Sequence, residues 1–391
     1  MDTSRARSLA AQYRTELMDH VVPYWERYSL DTEHGGFFTC FDRQWQLYDP
    51  GKWAWFQGRA VWMFSRLYRT AGQEPHWLEA AQRGIEFIDR HLFDPQGRMY
   101  SAVTRDGAPR WAPKGIFSEC FTIYGLAQYA RAAQDAGALD GAQRLFSRVL
   151  EMAEQPELDG PRLPGQPPFV IHAVPMILLN LAQEMREATG SNEYDRVADE
   201  MLYRILRLHC HPEHSAVFEN VLADGEVVDD PDGRVLNPGH AMESAWFILR
   251  EAQYRNDNEL RDRAVQMIDW SLDAGWDDEY GGMLYFVDAR DRPNRYLQWD
   301  MKLWWVHLET LYALLLGHRM TGRADLLAWF ERVHEWTWAR FPDRQHGEWY
   351  GYLRRDGEVC LPLKGSAWKG FYHVPRALLL IAELLDEMAG K

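Results

Sequence analysis

An internal repeat constrains the fold of this 391-residue chain more than any other feature of its sequence. Three segments align closely, at residues 33–38 (EHGGFF), 279–284 (EYGGML) and 345–350 (QHGEWY), and two fit more loosely, at 94–100 and 213–218. Gly36 lies 61 residues before Gly97, and Gly282 lies 65 residues before Gly347. A fixed period of this kind is typical of one supersecondary unit repeated along the chain, and six such units account for its length.

Each unit is predicted to contain a buried helix, an amphipathic helix and a short hairpin. Six stretches are apolar on nearly all sides, as buried helices are: residues 60–68, 120–130, 173–181, 241–249, 308–316 and 374–385. Amphipathic stretches lie between them, at residues 77–92, 195–208, 260–270 and 324–338. Asp-Gly pairs flanked by alternating residues, such as Asp106-Gly107 and Asp224-Gly225, predict hairpins.

Buried helices that alternate with amphipathic ones predict two concentric rings, because each amphipathic helix needs an apolar partner for one face. We therefore predict an all-α fold, an (α/α)6 toroid with short β-hairpins in the loops at one rim. The stretch closest to a linker in composition, residues 155–168, is interpreted as one ordered loop. Residues 1–391 are accordingly predicted to form a single (α/α)6-barrel catalytic domain.

Composition excludes several classes of protein. The chain has 43 Lys+Arg against 58 Asp+Glu, so it lacks the basic footprint that binding to nucleic acid or to anionic membranes requires. No apolar run approaches the ~20 residues that span a bilayer, and the N-terminus does not resemble a signal peptide. The four cysteines are widely separated, which indicates reduced thiols and a cytoplasmic protein. The 18 Trp are more than such a protein needs for its core.

Charged residues open the six predicted buried helices at intervals of 53 to 68 residues. They are Arg59, Glu119, His172, His240 with Glu243, His307 with Glu309, and His373 with Arg376. If the repeats are regular, these side chains converge on one cavity, which is the arrangement of a ligand site. A helix-start histidine paired with a surface glutamate is the alternative for His240, and a histidine packed in the core is the alternative for His373.

The spacing within these pairs indicates which side chains share a helix face and can act together. His240 and Glu243 are three residues apart and share a helix face, so the carboxylate can orient the imidazole of a general base. His307 and Glu309 are two residues apart and diverge on a helix, and we predict that Glu309 faces inward.

Sequence motifs for other kinds of site are absent. The His-Cys-His cluster at residues 209–211 lacks a second ligand pair, so no metal site is predicted. The chain has no zinc-protease, P-loop or nucleophile-elbow motif. Six tryptophans lie in predicted hairpins or just before buried helices: Trp53, Trp55, Trp299, Trp304, Trp305 and Trp368. Core packing explains part of this set, and the rest are predicted to line a rim that binds the C–H faces of a neutral sugar.

Several motifs together resemble the N-acylglucosamine 2-epimerase family. They are residues 52–59 (KWAWFQGR), 117–120 (FSEC), 237–240 (NPGH), 301–305 (MKLWW), 347–352 (GEWYGY) and 369–376 (KGFYHVPR). The family is built on an (α/α)6 barrel. The resemblance implies that the catalytic residues are Arg59, His240, Glu243, Glu309 and His373. The residues predicted to bind substrate are Trp53, Trp55, Glu119, His172, Trp304, Trp305 and Trp368.

In the reaction that the resemblance implies, the sugar ring opens, one histidine removes the C2 proton and the other returns a proton to the opposite face. It implies no cofactor for the chemistry, ATP as an allosteric activator, and a homodimer. The alternatives on the same site are a mannose or cellobiose 2-epimerase and an aldose–ketose isomerase. A glycoside hydrolase using Glu119, Glu243 or Glu309, and a non-catalytic binding role, are more distant alternatives.

Overall fold

The computed structural model describes residues 1–155, 165 and 167–390, so most of the predicted loop 155–168 lies outside the described residues. In this part of the chain the α-helices are α1 (Thr3–Thr15), α2 (Val22–Ser29), α3 (Ala54–Leu67), α4 (Pro75–His91), α5 (Phe117–Ala133), α6 (Ala136–Ala153), α7 (Ala173–Thr189), α8 (Asp195–Tyr203), α9 (Pro238–Arg255), α10 (Asn258–Gly275), α11 (Trp304–Thr321), α12 (Ala324–Trp338) and α13 (His373–Met388). Short π-helical segments, Glu16–Val21, Tyr68–Gly72 and Arg204–His209, join α1 to α2 and extend α3 and α8.

The helices form an inner and an outer ring, which confirms the (α/α)6 prediction. The odd-numbered helices from α3 to α13 are the inner ring, and they are buried on all sides: every residue from 118 to 130 in α5 and from 304 to 317 in α11 is buried. The outer helices bury one face only. In α4 that face consists of Trp77, Ala80, Ala81, Gly84, Phe87 and Ile88, which is the spacing of an amphipathic helix.

The inner ring closes between its last and first helices. The rings of Phe371 and Phe64 lie 4.8 Å apart, and Arg66 of α3 bonds to Glu383 of α13 at 2.7 Å. The N-terminal helix α1 covers α13 from outside, with Arg14 bonded to Asp386 at 2.5 Å. None of the helices in the described residues is long and apolar enough to cross a membrane.

Short antiparallel strands lie where the inner helices begin. In the described residues they are β1 (Cys40–Phe41), β2 (Leu47–Asp49), β3 (Lys52–Trp53), β4 (Ala102–Val103), β5 (Pro109–Trp111), β6 (Val170–Ile171), β7 (Cys210–His211), β8 (Ala216–Val217), β9 (Asn220–Val221), β10 (Val235–Leu236), β11 (Val287–Asp288), β12 (Lys302–Leu303), β13 (Tyr352–Leu353) and β14 (Val359–Leu361). Strands β3, β6, β10 and β12 each run into an inner helix and pair with a strand of the following unit. The pairing therefore joins each unit to its neighbour along the rim.

Buried salt bridges anchor three of these loops. Of the six lysines in the sequence, Lys52, Lys302, Lys364 and Lys369 are fully buried, although lysine is among the residues least often buried. Three of them donate from Nζ to an aspartate at the same distance within 0.1 Å: Lys52 to Asp31 at 2.9 Å, Lys302 to Asp277 at 2.9 Å, and Lys364 to Asp343 at 2.8 Å. The repeat seen in the sequence is thus a repeat of this ion pair.

Each aspartate also holds its own turn and a neighbouring unit. Asp277 accepts the backbone N–H groups of Glu279 and Tyr280, and the guanidinium of Arg355 from the next hairpin. Arg43 of the first unit reaches Asp343 of the last unit in the same way, at 2.9 Å, which helps to close the ring. Burial raises the pKa of Asp277, but the bonds from Arg355 and Lys302 outweigh it and lower the pKa to about 2, so the carboxylate is charged.

We predict that Asp277→Asn lowers the free energy of unfolding by about 3–5 kcal/mol, because it leaves the ammonium of Lys302 buried without a counter-charge. Denaturation by urea, followed by circular dichroism, measures this loss. Asp278→Asn is the matched control, since Asp278 is adjacent and exposed. Adding Lys302→Met to Asp277→Asn should restore part of the stability. Equal midpoints for the two single variants would contradict the prediction.

Candidate active site

The predicted catalytic residues meet at the N-terminal ends of the inner helices. Arg59, Glu243 and Glu309 are each the sixth residue of their helix, in α3, α9 and α11. His240 lies in the first turn of α9 and His373 begins α13.

The ring of Trp305 contacts both imidazoles. Its ring centroid is 5.3 Å from that of His240 and 5.9 Å from that of His373. Each imidazole uses Nδ1 for a carboxylate, and in the described part of the chain neither Nε2 has a hydrogen-bond partner. Two imidazole nitrogens without partners, both close to the same ring, are therefore available to a ligand.

The carboxylate that bonds to His373, that of Glu309, is already paired with the positive charge of an arginine. His373 Nδ1 lies 2.8 Å from Glu309 Oε1, and Glu309 also accepts from Trp246 Nε1 at 2.8 Å and from Arg376 Nη2 at 2.5 Å. Arg376 donates to Glu243 as well, at 2.8 Å. Burial lowers the pKa of His373 well below its ordinary value, and the positive charges of Arg376 and Arg59 lower it further. His373 is therefore held neutral.

The His240 side has a carboxylate of its own. Asn237 caps α9 by accepting the backbone N–H of His240 at 3.2 Å. His240 Nδ1 lies 2.9 Å and 3.1 Å from the two oxygens of Glu219, a residue that the sequence analysis did not select. Burial lowers the pKa of His240, but the charge of Glu219 outweighs it, and the pKa is raised above its ordinary value. His240 therefore keeps its proton to a higher pH than an ordinary histidine does.

Arg59 supplies a buried cation that is surrounded by aromatic rings. Its guanidinium lies 3.8 Å from the ring centroid of Phe121, 5.0 Å from that of Tyr372 and 5.1 Å from that of Trp55. It forms no ion pair within the described residues, and its Nε is a buried donor without a partner. Burial lowers the pKa of Arg59 to about 10, so the group stays protonated at neutral pH. Such a group can stabilise negative charge that develops on a ligand oxygen.

Tryptophan rings near Arg59 and His373 carry further N–H donors that have no hydrogen-bond partner within the described chain. Trp55 Nε1 and Trp304 Nε1 are buried without hydrogen-bond partners. Trp304 contacts His373 at 6.4 Å between centroids, and Trp368, which is 65% exposed, contacts Trp55 at 5.4 Å. Flat rings with unpaired N–H groups suit a ligand that offers both C–H faces and oxygen acceptors.

The ligand atoms of Glu243, Glu309 and His373 lie within 4.8 Å of one another, a spacing that suits a metal ion. The guanidinium of Arg376 bonds to both carboxylates and supplies positive charge at this position. The two carboxylates of this group are therefore already bonded to an arginine of the chain itself.

Other residues that were predicted to lie in the site instead bond to the backbone of the rim loops. Glu119 accepts the backbone N–H of Met99 at 3.0 Å and the guanidinium of Arg98 at 3.1 Å. His307, which the sequence analysis placed facing away, accepts the backbone N–H of Met283 at 2.9 Å. Gln57 does the same for Phe37 at 2.7 Å. These side chains tie each inner helix to the turn before it.

The register explains why Glu119 does not join the cluster. Glu119 corresponds to Gln57 and His307, whereas the positions two residues later, Phe121 in α5 and Arg59 and Glu309 in the other two helices, face the axis. Spacing alone had aligned Arg59 with Glu119, whereas the residue of α5 that corresponds to Arg59 is Phe121, two positions later.

The remaining predicted residues lie near the edges of the site. His172 is buried behind Glu219: its Nε2 lies 3.0 Å from Ser244 Oγ and its Nδ1 lies 4.0 Å from Glu219. Trp53 pairs with Ala102 in the hairpin, and the carbonyl of Trp299 accepts the N–H of Tyr285. Of the residues that sequence reasoning missed, only Trp246 carried a signal, since it follows Glu243 by three residues on the same helix.

Known proteins are similar in sequence to this chain over nearly its whole length. Residues 36–377 match the family described as N-acylglucosamine 2-epimerase (GlcNAc 2-epimerase). The chain is 41% identical to the N-acylglucosamine 2-epimerase of Bos taurus over 383 residues, which cover 96% of this chain and 90% of that protein. It is 25% identical to the cellobiose 2-epimerase of Bacteroides fragilis over 405 residues, which cover 97% of this chain and 99% of that one.

Solved structures share the fold. The cellobiose 2-epimerase of Bacillus thermoamylovorans superposes with a TM-score of 0.84 over 96% of this chain and 99% of its own, at 20% identity. The sequence match over most of the chain and the identity to the bovine protein agree with the motifs quoted above. This chain belongs to the N-acylglucosamine 2-epimerase family.

Proposed function

We propose that this protein is an isomerase that interconverts N-acyl-D-glucosamine and N-acyl-D-mannosamine by inverting C2 of the open-chain sugar. The observation that carries the proposal is the pair of imidazoles, His240 and His373, which both contact Trp305 and have free Nε2 atoms and pKa values shifted in opposite directions. The bovine relative that is 41% identical supports the choice of N-acylated sugar.

Inversion at C2 needs one base and one acid on opposite faces of the same carbon. In the resting protein His373 is neutral and can remove the C2 proton, whose acidity is raised by the aldehyde of the open chain. The electron pair of the broken C–H bond then forms the enediolate, with negative charge on O1. In its protonated form His240 returns a proton to the other face of C2, so that the pair of imidazoles ends with the same number of protons. Each positioned group is worth about 10²–10⁴-fold in rate.

Arg59 has the charge and the freedom to stabilise the enediolate. Its donors are not used by any carboxylate of the described chain, so they can bond to O1 as its charge grows. The stacking on Phe121 fixes the plane of the guanidinium before the substrate binds. All the groups in this scheme belong to the chain itself, so the chemistry requires no cofactor.

The alternatives differ in what the same site would do. An aldose–ketose isomerase, or an epimerase of mannose or cellobiose, would use the same two histidines, with the proton returned to C1 in the isomerase. Hydrolysis needs two carboxylates with separate roles on either side of a glycosidic bond. Glu243 and Glu309 are instead bonded to one guanidinium, that of Arg376, which favours epimerisation over hydrolysis.

The proposal includes three properties that the family resemblance or the composition implies. They are activation by ATP bound away from the chemistry, assembly as a homodimer, and a cytoplasmic location. Sedimentation with and without ATP, together with rates at saturating sugar, tests the first two.

Incubation with a panel of sugars in D2O tests the proposed function. We expect deuterium at C2 of N-acetylmannosamine and its conversion to N-acetylglucosamine, both measured by NMR. A ketose product would support the isomerase, exchange confined to mannose or cellobiose would support those epimerases, and glycosidic cleavage would support the hydrolase. If no sugar takes up deuterium or is converted, the non-catalytic binding role is the alternative that is supported.

Replacing either histidine should abolish turnover without unfolding the protein. We expect His240→Asn and His373→Asn each to lower kcat by at least about 10²-fold, because each removes one positioned acid–base group. His20→Asn is the control, since His20 is an exposed histidine far from the site in sequence. A variant that keeps more than a tenth of the wild-type rate would show that its histidine is not one of the two groups.

The pH dependence of kcat/KM should be bell-shaped, since one imidazole must be neutral and the other charged. His373 faces Glu243, Glu309, Arg59, Arg376 and His240, and its lowered pKa places the acidic limb below pH 6.5.

His240 faces Glu219, Glu243 and Glu309, with His172 behind Glu219, and its raised pKa places the alkaline limb above pH 6.5. Rates with a neutral sugar between pH 4 and 10 measure both limbs. An alkaline limb below pH 6.5 would contradict the assignment.

A further inference from the structure

Glu219 lies in the loop between β8 and β9, outside every motif that resembles the family. Its backbone is fixed at both ends, because its N–H donates to the carbonyl of Val235 and its carbonyl accepts the N–H of His172. The residue is 8% exposed, and its two carboxylate oxygens face His240 Nδ1 at 2.9 Å and 3.1 Å. The side chain is thus held against the imidazole from a separate part of the chain.

The two histidines differ in how their carboxylates are shared. Glu309 serves His373, Trp246 and Arg376, and the guanidinium cancels its charge. Glu219 has no arginine or lysine among its ion pairs in the described residues; its partners are His240 and, at 4.0 Å, His172. The full negative charge of Glu219 therefore acts on His240.

We propose that Glu219 is the positioning residue of His240, and that its unshared carboxylate, by accepting the Nδ1 proton, keeps Nε2 directed at the substrate and holds the imidazole ready to act as the acid. This inference rests on the proposed function, because it assigns His240 a role in the same reaction. Glu219 touches the histidine and not the reacting atoms.

The chemistry follows from the hydrogen bond. A carboxylate can only accept, so the Nδ1 atom of His240 carries a proton while it bonds to Glu219. The amide nitrogen of Asn237, 3.1 Å from the same Nδ1, can only donate and does not replace the carboxylate as an acceptor. Titration then occurs at Nε2, the atom that has no partner in the described chain. The charge of Glu219 stabilises the imidazolium, and the pKa of Glu219 is itself lowered: burial raises it, but the charge of His240 outweighs this effect.

Other groups around His240 do not replace Glu219. Glu243 and Glu309 also face the ring, but both are bonded to Arg376. His172 lies on the far side of Glu219 and bonds to Ser244. Burial lowers the pKa of His172 to about 3, so it is neutral and does not compete for the carboxylate as a cation.

Titration of His240 by NMR in the free, full-length protein tests the proposal without any sugar. The protein is labelled at histidine, and His240→Asn identifies the resonance. Glu219→Gln keeps the size and the backbone bonds of the residue and removes its charge. We expect the pKa of His240 to fall by about 1–3 pH units in this variant.

Kinetics provide the second readout. We expect Glu219→Gln to lower kcat by about 10–100-fold with little change in KM, as for carboxylates that orient metal-bound histidines. The alkaline limb of the pH profile should move to lower pH. Glu219→Asp keeps the charge and should retain more of the His240 pKa and of kcat than Glu219→Gln does. Glu226→Gln, an exposed residue a few positions later, is the matched control.

A His240 titration in Glu219→Gln that is the same as in the wild type would overturn the proposal, whatever the activity. A lowered titration would support it even if the protein acted on none of the sugars, and the failure would then belong to the proposed function alone. Loss of activity in Glu219→Gln with a change in KM only would also count against a positioning role.

Discussion

The geometry of the site depends on the buried salt bridges that join the rim loops to the inner helices. Lys52 comes just before α3, which carries Arg59, and Lys302 comes just before α11, which carries Glu309. Lys364 precedes α13 and His373. Each lysine is fully buried against an aspartate, so its helix start cannot move without separating two charges in a low-dielectric interior. The loops that carry the repeat are thus also the loops that hold the residues of the candidate site in place.

Charge distribution separates the roles of two chemically identical side chains. One arginine, Arg376, lies between Glu243 and Glu309 and leaves His373 with a neutralised partner. His240 has a carboxylate that no cation shares. The difference comes from the number of charges around each ring, because both imidazoles are largely buried and both use Nδ1 in the same way. The proposed reaction uses this difference, with His373 as the base and His240 as the acid.

Much of the fold was predictable because it follows from local patterns. The period of the repeat, the two kinds of helix and the Asp-Gly turns are visible in the sequence, and Asp106-Gly107 forms the turn between β4 and β5. Helix geometry predicted that His307 and Glu309 diverge, and in the structure Glu309 bonds to Trp246 whereas His307 bonds to the backbone of Met283. Glu119 was harder to place, because its counterpart in α3 is Gln57, two residues before Arg59, and spacing alone does not reveal such an offset.

The sequence by itself determined the ring of six units and the histidines that open two of its helices, because period and helix pattern depend on neighbouring residues. Only the tertiary structure decided which carboxylate each histidine meets. Glu219 lies in a loop 21 residues before His240, and Glu309 lies 64 residues before His373. Contacts of this kind exist only once the ring closes, since hydrogen bonds between remote residues depend on the path of the whole backbone. The fold was therefore encoded locally, and the carboxylate partner of each histidine was not.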